Sequence, residues 1–353
     1  MYGKNSRAKT RKILYREGIS RVHQISLSCN PIPPPKYGGI ETVVSNLVHG
    51  LIERGIPTFC YSPAPLDIEG CYHVETLPKS ENGPKEGVYI ANTKEHLKAI
   101  TQGLQRYVRP GDVIHLHHPE QSIYIKRKKR LTSLLMGWNF VETAHWLRVS
   151  LDKNIVYPSK SLRNEINKPG KVIPHGINTS LFKPSDSGTF VNDEYLLYAG
   201  RLREDKGLHL AAEVANKLGI ELRVAGPLQD HEYAESIIGK INYLGELKPQ
   251  ELVKQYQNAV AFIHLNQYIE PFGLAVVEAM ACGTPVITTG IGGTGETVIP
   301  GETGFFCKTK ESLVKAIKNI DKLSREDCVA RARIFSIKNM TESYLKYYSE
   351  TYG

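Results

Sequence analysis

Short apolar runs alternate with segments of helical spacing along most of this chain. Arg21–Leu27 reads as a strand. A turn carrying Pro33–Pro35 and Gly38–Gly39 follows, and Thr42–Arg54 reads as a helix stopped by Gly55. The same alternation predicts strands at Val88–Ile90, Asp112–Leu116, Phe140–His145, Tyr195–Ala199, Leu222–Ala225, Ile241–Gly245 and Val260–Leu265, and a helix from Gly207 to Leu218. Strand, turn and helix in succession make the crossover units of a parallel sheet, so the fold class is α/β. The Pro and Gly cluster in Val172–Asn178 reads as a linker, placing a domain boundary near residue 175.

The stretch from Glu270 to Ile287 stands out. Pro271 cannot lie inside a helix, so a helix begins near Phe272 or Gly273. Gly283 suits a left-handed cap at its end, Pro285 prevents continuation, and Val286–Ile287 opens a strand. Glu278 sits among Val276, Val277, Ala279, Met280 and Ala281, where a carboxylate is costly unless something hydrogen-bonds it. Glu270 precedes the helix N-terminus, where unpaired amides of Gly273, Leu274 and Ala275 point at whatever approaches. Two carboxylates flanking free amides suit an anionic ligand that also carries hydroxyls. The plainer alternative is a capping Glu270 with Glu278 paired to a nearby Lys or Arg. Further candidates repeat the theme. Gly38–Gly39 lets backbone amides approach a phosphate, although a tight turn explains it equally well. Arg201 and Lys206, set between a strand's Gly turn and a helix, suit a diphosphate through a bidentate guanidinium and a point charge. His145 closes a predicted strand, the edge at which parallel sheets meet ligands; a satisfied core histidine is its other reading.

Taken together these motifs resemble the retaining, nucleotide-sugar-dependent glycosyltransferases of family 4, in the GT-B architecture. The features are Glu270-x7-Glu278, the Gly-Gly-x-Glu loop ending at Glu41, Gly200-Arg201-Leu202 with Lys206-Gly207, Gly292–Glu296, and Gly301-x-x-Gly304-Phe305. The resemblance spans roughly residues 22–320. It implies two facing Rossmann-like domains with parallel sheets and a C-terminal helix crossing back to the first. The divisions would be a basic tail at 1–20, an acceptor-side domain at 21–175, a nucleotide-sugar domain at 176–335 and the closing helix at 336–353. It further implies that Glu278 binds the donor ribose, Glu270 and Phe272–Ala275 lie by the donor sugar and diphosphate, and Gly38, Gly39, Arg201 and Lys206 hold the diphosphate. His145 would contact sugar and phosphate. Trp146 departs from the small hydroxylated residue usual there, and His175 stands where the family's hinge has Asn. The donor is then a nucleoside-diphosphate sugar and the acceptor is unnamed.

Composition narrows the remainder. Residues 1–183 hold 27 Lys+Arg against 14 Asp+Glu, which implies an anionic partner or surface: nucleic acid, phospholipid or an anionic glycan carrier. The tail to residue 20 and Lys126–Arg130 read as solvated surface or as membrane contacts. Interleaved aromatics of an RNA module are missing, so nucleic acid is not expected. The sequence has no long apolar run or secretion signal, and its six cysteines are scattered; the expectation is a cytoplasmic chain of free thiols. His115, His117 and His118 are spaced as metal ligands can be, but they also end an ordinary buried strand and no third-ligand motif sits nearby. No Asp-x-Asp occurs, so the expected reaction needs no metal and no cofactor. Two enzyme rivals share the architecture, an epimerase and a phosphorylase; the non-enzyme rival is a basic nucleic-acid-binding protein.

Overall fold

The computed structural model describes residues 19–79, 92–126, 133–136, 154–185 and 194–352. The predicted strands at 88–90 and 140–145, the tail to residue 18, residues 127–130 of the basic block, and His145 lie outside the described residues.

Two parallel sheets carry the molecule. The first contains β1 (Val22–Ile25), β2 (Thr58–Ser62), β3 (Tyr72–Glu75), β4 (Val113–Leu116), β5 (Ser133–Met136), β6 (Ile155–Tyr157) and β7 (Lys171–Val172), in the order β3-β2-β1-β4-β5-β6-β7. The second contains β8 (Tyr195–Ala199), β9 (Glu221–Ala225), β10 (Asn242–Gly245), β11 (Ala261–His264), β12 (Val286–Thr288) and β13 (Gly304–Phe306), in the order β10-β9-β8-β11-β12-β13. In each sheet the order reverses once, at β1/β4 and at β8/β11. A crevice opens beyond the strand ends at such a point, because the flanking crossovers depart to opposite sides.

The first sheet tolerates polar residues in its centre because they pair. His23 on β1 meets the Tyr61 hydroxyl at 2.9 Å and Asp112 at 3.1 Å, and Gln24 meets His117 at 2.7 Å. Arg21 clamps Asp112 with two bonds of 3.0 and 2.8 Å. The expected ordinary strand end at His115 and His117 is therefore a hydrogen-bonded one. Among the described residues no cluster of His, Cys, Asp and Glu is placed to hold a metal ion. No helix among them is long and apolar enough to cross a membrane, and no disulfide joins the six cysteines.

The core changes owner across the linker. Ile173 belongs to the core built on β1, whereas Ile177 and Phe182 belong to that of the second sheet. Ile177 also pairs with the chain at Ser336, where the last helix, Ile337–Tyr352, begins. That helix returns to the first sheet and buries Met340, Tyr344 and Tyr348 with Val22, Val43 and Leu47. Gly50 permits the close approach, since a Cβ there would collide with the Thr341 hydroxyl. Tyr348 bonds His115 Nδ1 at 2.7 Å, and Arg54 pairs with Glu342 at 2.5 Å. A second tie joins the sheets: Glu296 accepts from the Lys160 and Ser161 amides at 3.0 and 2.7 Å, at the start of the Lys160–Ile166 helix.

Tyr348→Phe strands a buried imidazole nitrogen. It is expected to cost about 1–3 kcal/mol of stability, read as a lower urea midpoint; an unchanged midpoint would show that the bond holds nothing.

Candidate active site

The carboxyl ends of both sheets line one cleft of about 1360 Å³. Its walls include Gly38, Gly39, Arg201, Lys206, Glu270, Phe272, Gly273, Leu274, Ala275 and Glu278. Residues spread over most of the sequence are thus brought to one surface, as the two switch points require.

The first wall is the start of the Gly39–Glu53 helix, reached from β1. Gly38 caps it and is packed under Pro34, which would crowd a Cβ at 2.7 Å. Gly39 is different. A Cβ there meets nothing within 4 Å and its backbone is not left-handed, so neither packing nor torsion demands glycine. The side-chain-free position faces open cleft beside orphan helix amides.

The opposite wall comes from β8 and β11. Arg201 follows Gly200 at the end of β8; its carbonyl accepts from the Tyr198 hydroxyl at 2.8 Å, and its guanidinium lies 5.9 Å from the centre of the Tyr37 ring. Lys206 ends the short turn Glu204–Lys206, and Gly207 beyond it is left-handed, at a place where a Cβ would also strike the Leu265 carbonyl. Lys206 is 8 % exposed and points at Glu270 Oε2, 3.2 Å away, and at the Tyr268 hydroxyl. Tyr268 donates to the same oxygen at 2.9 Å, and His264 Nε2 approaches it to 3.4 Å. Burial alone would raise the Glu270 carboxyl, but the charge of Lys206, then His264 and Tyr268, hold it well below the usual carboxylate range. Every one of these contacts falls on Oε2, which leaves Oε1 to the cleft.

The helix after Glu270 begins at Leu274, one residue later than the latest start Pro271 suggested, because Gly273 is left-handed (φ 88°) and serves as its cap. Gly283 is left-handed too, and β12 follows. Phe272 is 3 % exposed, wedged edge-on between His175 and Phe335 at 5.2 and 5.5 Å. Its ring is core, so what it offers the cleft is backbone. Glu278 is half-buried at the cleft wall. Burial pushes its carboxyl up to about 7, the Tyr256 hydroxyl beside it pulling the other way. The alternative pairing is thus inverted: the ion pair with lysine belongs to Glu270, and Glu278 sits beside a tyrosine.

Sequence reasoning overlooked Tyr268, His264 and Tyr256. Tyr268 lies only two positions before Glu270, and His264 closes a strand on the ligand edge, so weak signals existed. Tyr256 had none, being contributed by a separate helix, Pro249–Asn258.

With this geometry in view, comparison with known proteins places the chain. Residues 181–335 match the family model described as glycosyl transferases group 1. An uncharacterised glycosyltransferase of Methanocaldococcus jannaschii is 30% identical over 318 residues, covering 75% of this chain and 80% of that one. The chain belongs to the glycosyl transferases group 1. This group 1 chain is also 32% identical over 195 residues to a glycogen synthase of Mycobacterium tuberculosis, covering 50% of itself and 47% of the relative. It spans about half the length of the first curated relatives it matches. Its architecture is that of the two-domain Rossmann-like (GT-B) glycosyltransferases. The Anabaena protein HepE, crystallised with UDP-glucose, superposes with a TM-score of 0.68 at 16% identity, over 94% of this chain and 99% of that one.

The Glu278 site makes a prediction whose sign follows from its raised folded-state value. The folded chain holds this proton more tightly than the unfolded chain, so wild type loses stability as pH climbs from about 4.5 through about 7. Glu278→Gln should lack that loss, gaining on the order of 2 kcal/mol over wild type at pH 8 and nothing at pH 4. Urea melts at both pH values decide it, and identical pH profiles would remove burial as the cause.

Proposed function

We propose that this chain transfers a sugar from a nucleoside-diphosphate sugar to an acceptor hydroxyl, with the donor held in the cleft between the two sheets. The observation that carries the reading is convergence. Arg201 and Lys206 stand on one wall, and on the other a glycine that the fold does not need, Gly39, opens free amides to the same space. A leaving diphosphate develops negative charge, and fixed cations with oriented amides stabilise it without reorganising at the moment of reaction. Arg201 grips two phosphate oxygens, Lys206 adds its charge, and the Leu274 and Ala275 amides close the far side. Glu278 binds the ribose hydroxyls, which favour its ionised form. Glu270 holds hydroxyls of the donor sugar through Oε1.

Glu270 is poorly suited to attack the anomeric carbon or to donate a proton. Its charge is already shared with Lys206, Tyr268 and His264, and its lowered pKa keeps it ionised and so an acceptor. This favours, for the retaining outcome implied by the resemblance, acceptor attack on the face the diphosphate leaves. The cation set also stands where a metal would otherwise neutralise the diphosphate, which supports metal-independent transfer. His145, given a sugar and phosphate contact by the same resemblance, completes the proposed set. A UDP-glucose complex of the HepE fold neighbour is consistent with a uridine donor here.

Titration of UDP, GDP and ADP into wild type, Arg201→Ala and Lys206→Ala tests the charge assignment. One nucleotide should bind wild type and weaken at least about tenfold in each variant, with turnover lost in the double variant and retained by wild type in excess EDTA. Unchanged affinity in the variants would end the diphosphate reading, and a strict Mn²⁺ or Mg²⁺ requirement would end the metal-independent one.

A further inference from the structure

The donor assignment leaves one buried acid of the cleft without a task. Glu41 lies in the first turn of the Gly39–Glu53 helix, is 2 % exposed, and lines the cleft on the first-domain side. Its opposite helix face is occupied by Val43, Val44, Leu47, Val48 and Leu51, all fully buried, so the helix orientation is fixed by packing. The neighbouring polar residues are already committed. Thr42 donates to the Gly38 carbonyl at 2.7 Å, Asn46 to the Gly176 carbonyl at 2.8 Å, and His49 to the Ser45 carbonyl at 2.8 Å. Glu41 is not: Asn30 and its own amide bond the carboxylate, yet Oε1 has no partner. A carboxylate oxygen in that position is costly to keep unless a donor arrives. Glu41 as a plain helix-start acid accounts for the oxygen turned toward Gly38, not for the other.

We propose that Glu41 binds the acceptor, its spare oxygen receiving a hydroxyl of a sugar or other uncharged polyol. This rests on the donor reading above, which places the diphosphate against Gly39, two residues away, so that a hydroxyl held at Glu41 lies next to the transferred sugar. Oε1 is closed off from solvent in this arrangement, and because the terminal torsion of a glutamate is soft, a rotation of the carboxylate is the movement by which it would meet a ligand. Burial raises the pKa of Glu41 above the ordinary carboxylate value, and a hydroxyl donor would lower it again. Specificity follows from the same oxygen. A site built around an acceptor-only group rewards a polyol and leaves an unpaired oxygen against an acceptor that lacks the hydroxyl.

The test is an NMR titration with glucose as the uncharged polyol, with and without UDP, on the full chain and on Glu41→Gln and Glu41→Ala. Glu41→Ala should weaken glucose at least about tenfold and Glu41→Gln, which keeps one accepting oxygen, about threefold, with UDP affinity within about twofold of wild type. Glucose bound equally by wild type and Glu41→Ala overturns the assignment, as does no binding to wild type, or UDP affinity and melting temperature falling together in both variants. Glucose lost only in the Glu41 variants, from a chain that binds no nucleoside diphosphate, would sustain Glu41 and remove the donor reading instead.

Discussion

Lys206 and Glu270, both largely withdrawn from water, hold each other at 3.2 Å where the second sheet opens. Neither is cheap to bury alone, and the pair is kept because Tyr268 and His264 supply the remaining hydrogen-bonding geometry around one carboxylate oxygen. The consequence is a cation fixed in direction before any ligand arrives. Around it the other elements fall into place. The left-handed turn at Gly207 positions Lys206, Gly273 orients the helix that carries Glu278, and Arg201 lies close enough to add its charge.

The two glutamates of the Glu270–Glu278 stretch end in opposite states although their residue type is the same. Glu270 is held ionised by a lysine, whereas burial pushes the Glu278 carboxyl up to about 7 despite the phenol beside it. Environment separates them, and it suits two tasks: a fixed acceptor of hydrogen bonds and a group whose charge responds to what binds. The same cleft contains a third acid, Glu41, supplied by the other sheet. On the proposed reading, Glu270 and Glu278 face the donor and Glu41 the acceptor across the same cleft.

The final helix and Glu296 explain how two separate sheets keep one cleft. Met340, Tyr344 and Tyr348 make the C-terminal helix part of the first core, while Glu296 reaches from the second domain to amides of the first. The first tie is apolar packing backed by the Tyr348–His115 bond, and the second is a set of hydrogen bonds to one carboxylate.

The chain by itself determined the α/β class, most strands of the second sheet and the charged residues that come to line the cleft, because hydrophobic period, glycine stops and rare charged strings are local properties. Gly283 and Pro285 told where the Glu278 helix must end, since glycine takes the left-handed torsion of a cap without strain and proline cannot continue a helix. The short strands at Thr58–Ser62, Tyr72–Glu75 and Lys171–Val172 left little trace, being defined by their neighbours in the sheet and not by their own pattern. Partnership was likewise beyond the sequence. That Lys206 would choose Glu270, that Tyr256 would stand beside Glu278, and that Glu41 would keep an oxygen unmatched are facts about distances between residues far apart in the chain. Only the folding of both sheets against one another sets those distances, and with them which charges are answered inside the protein and which await a ligand.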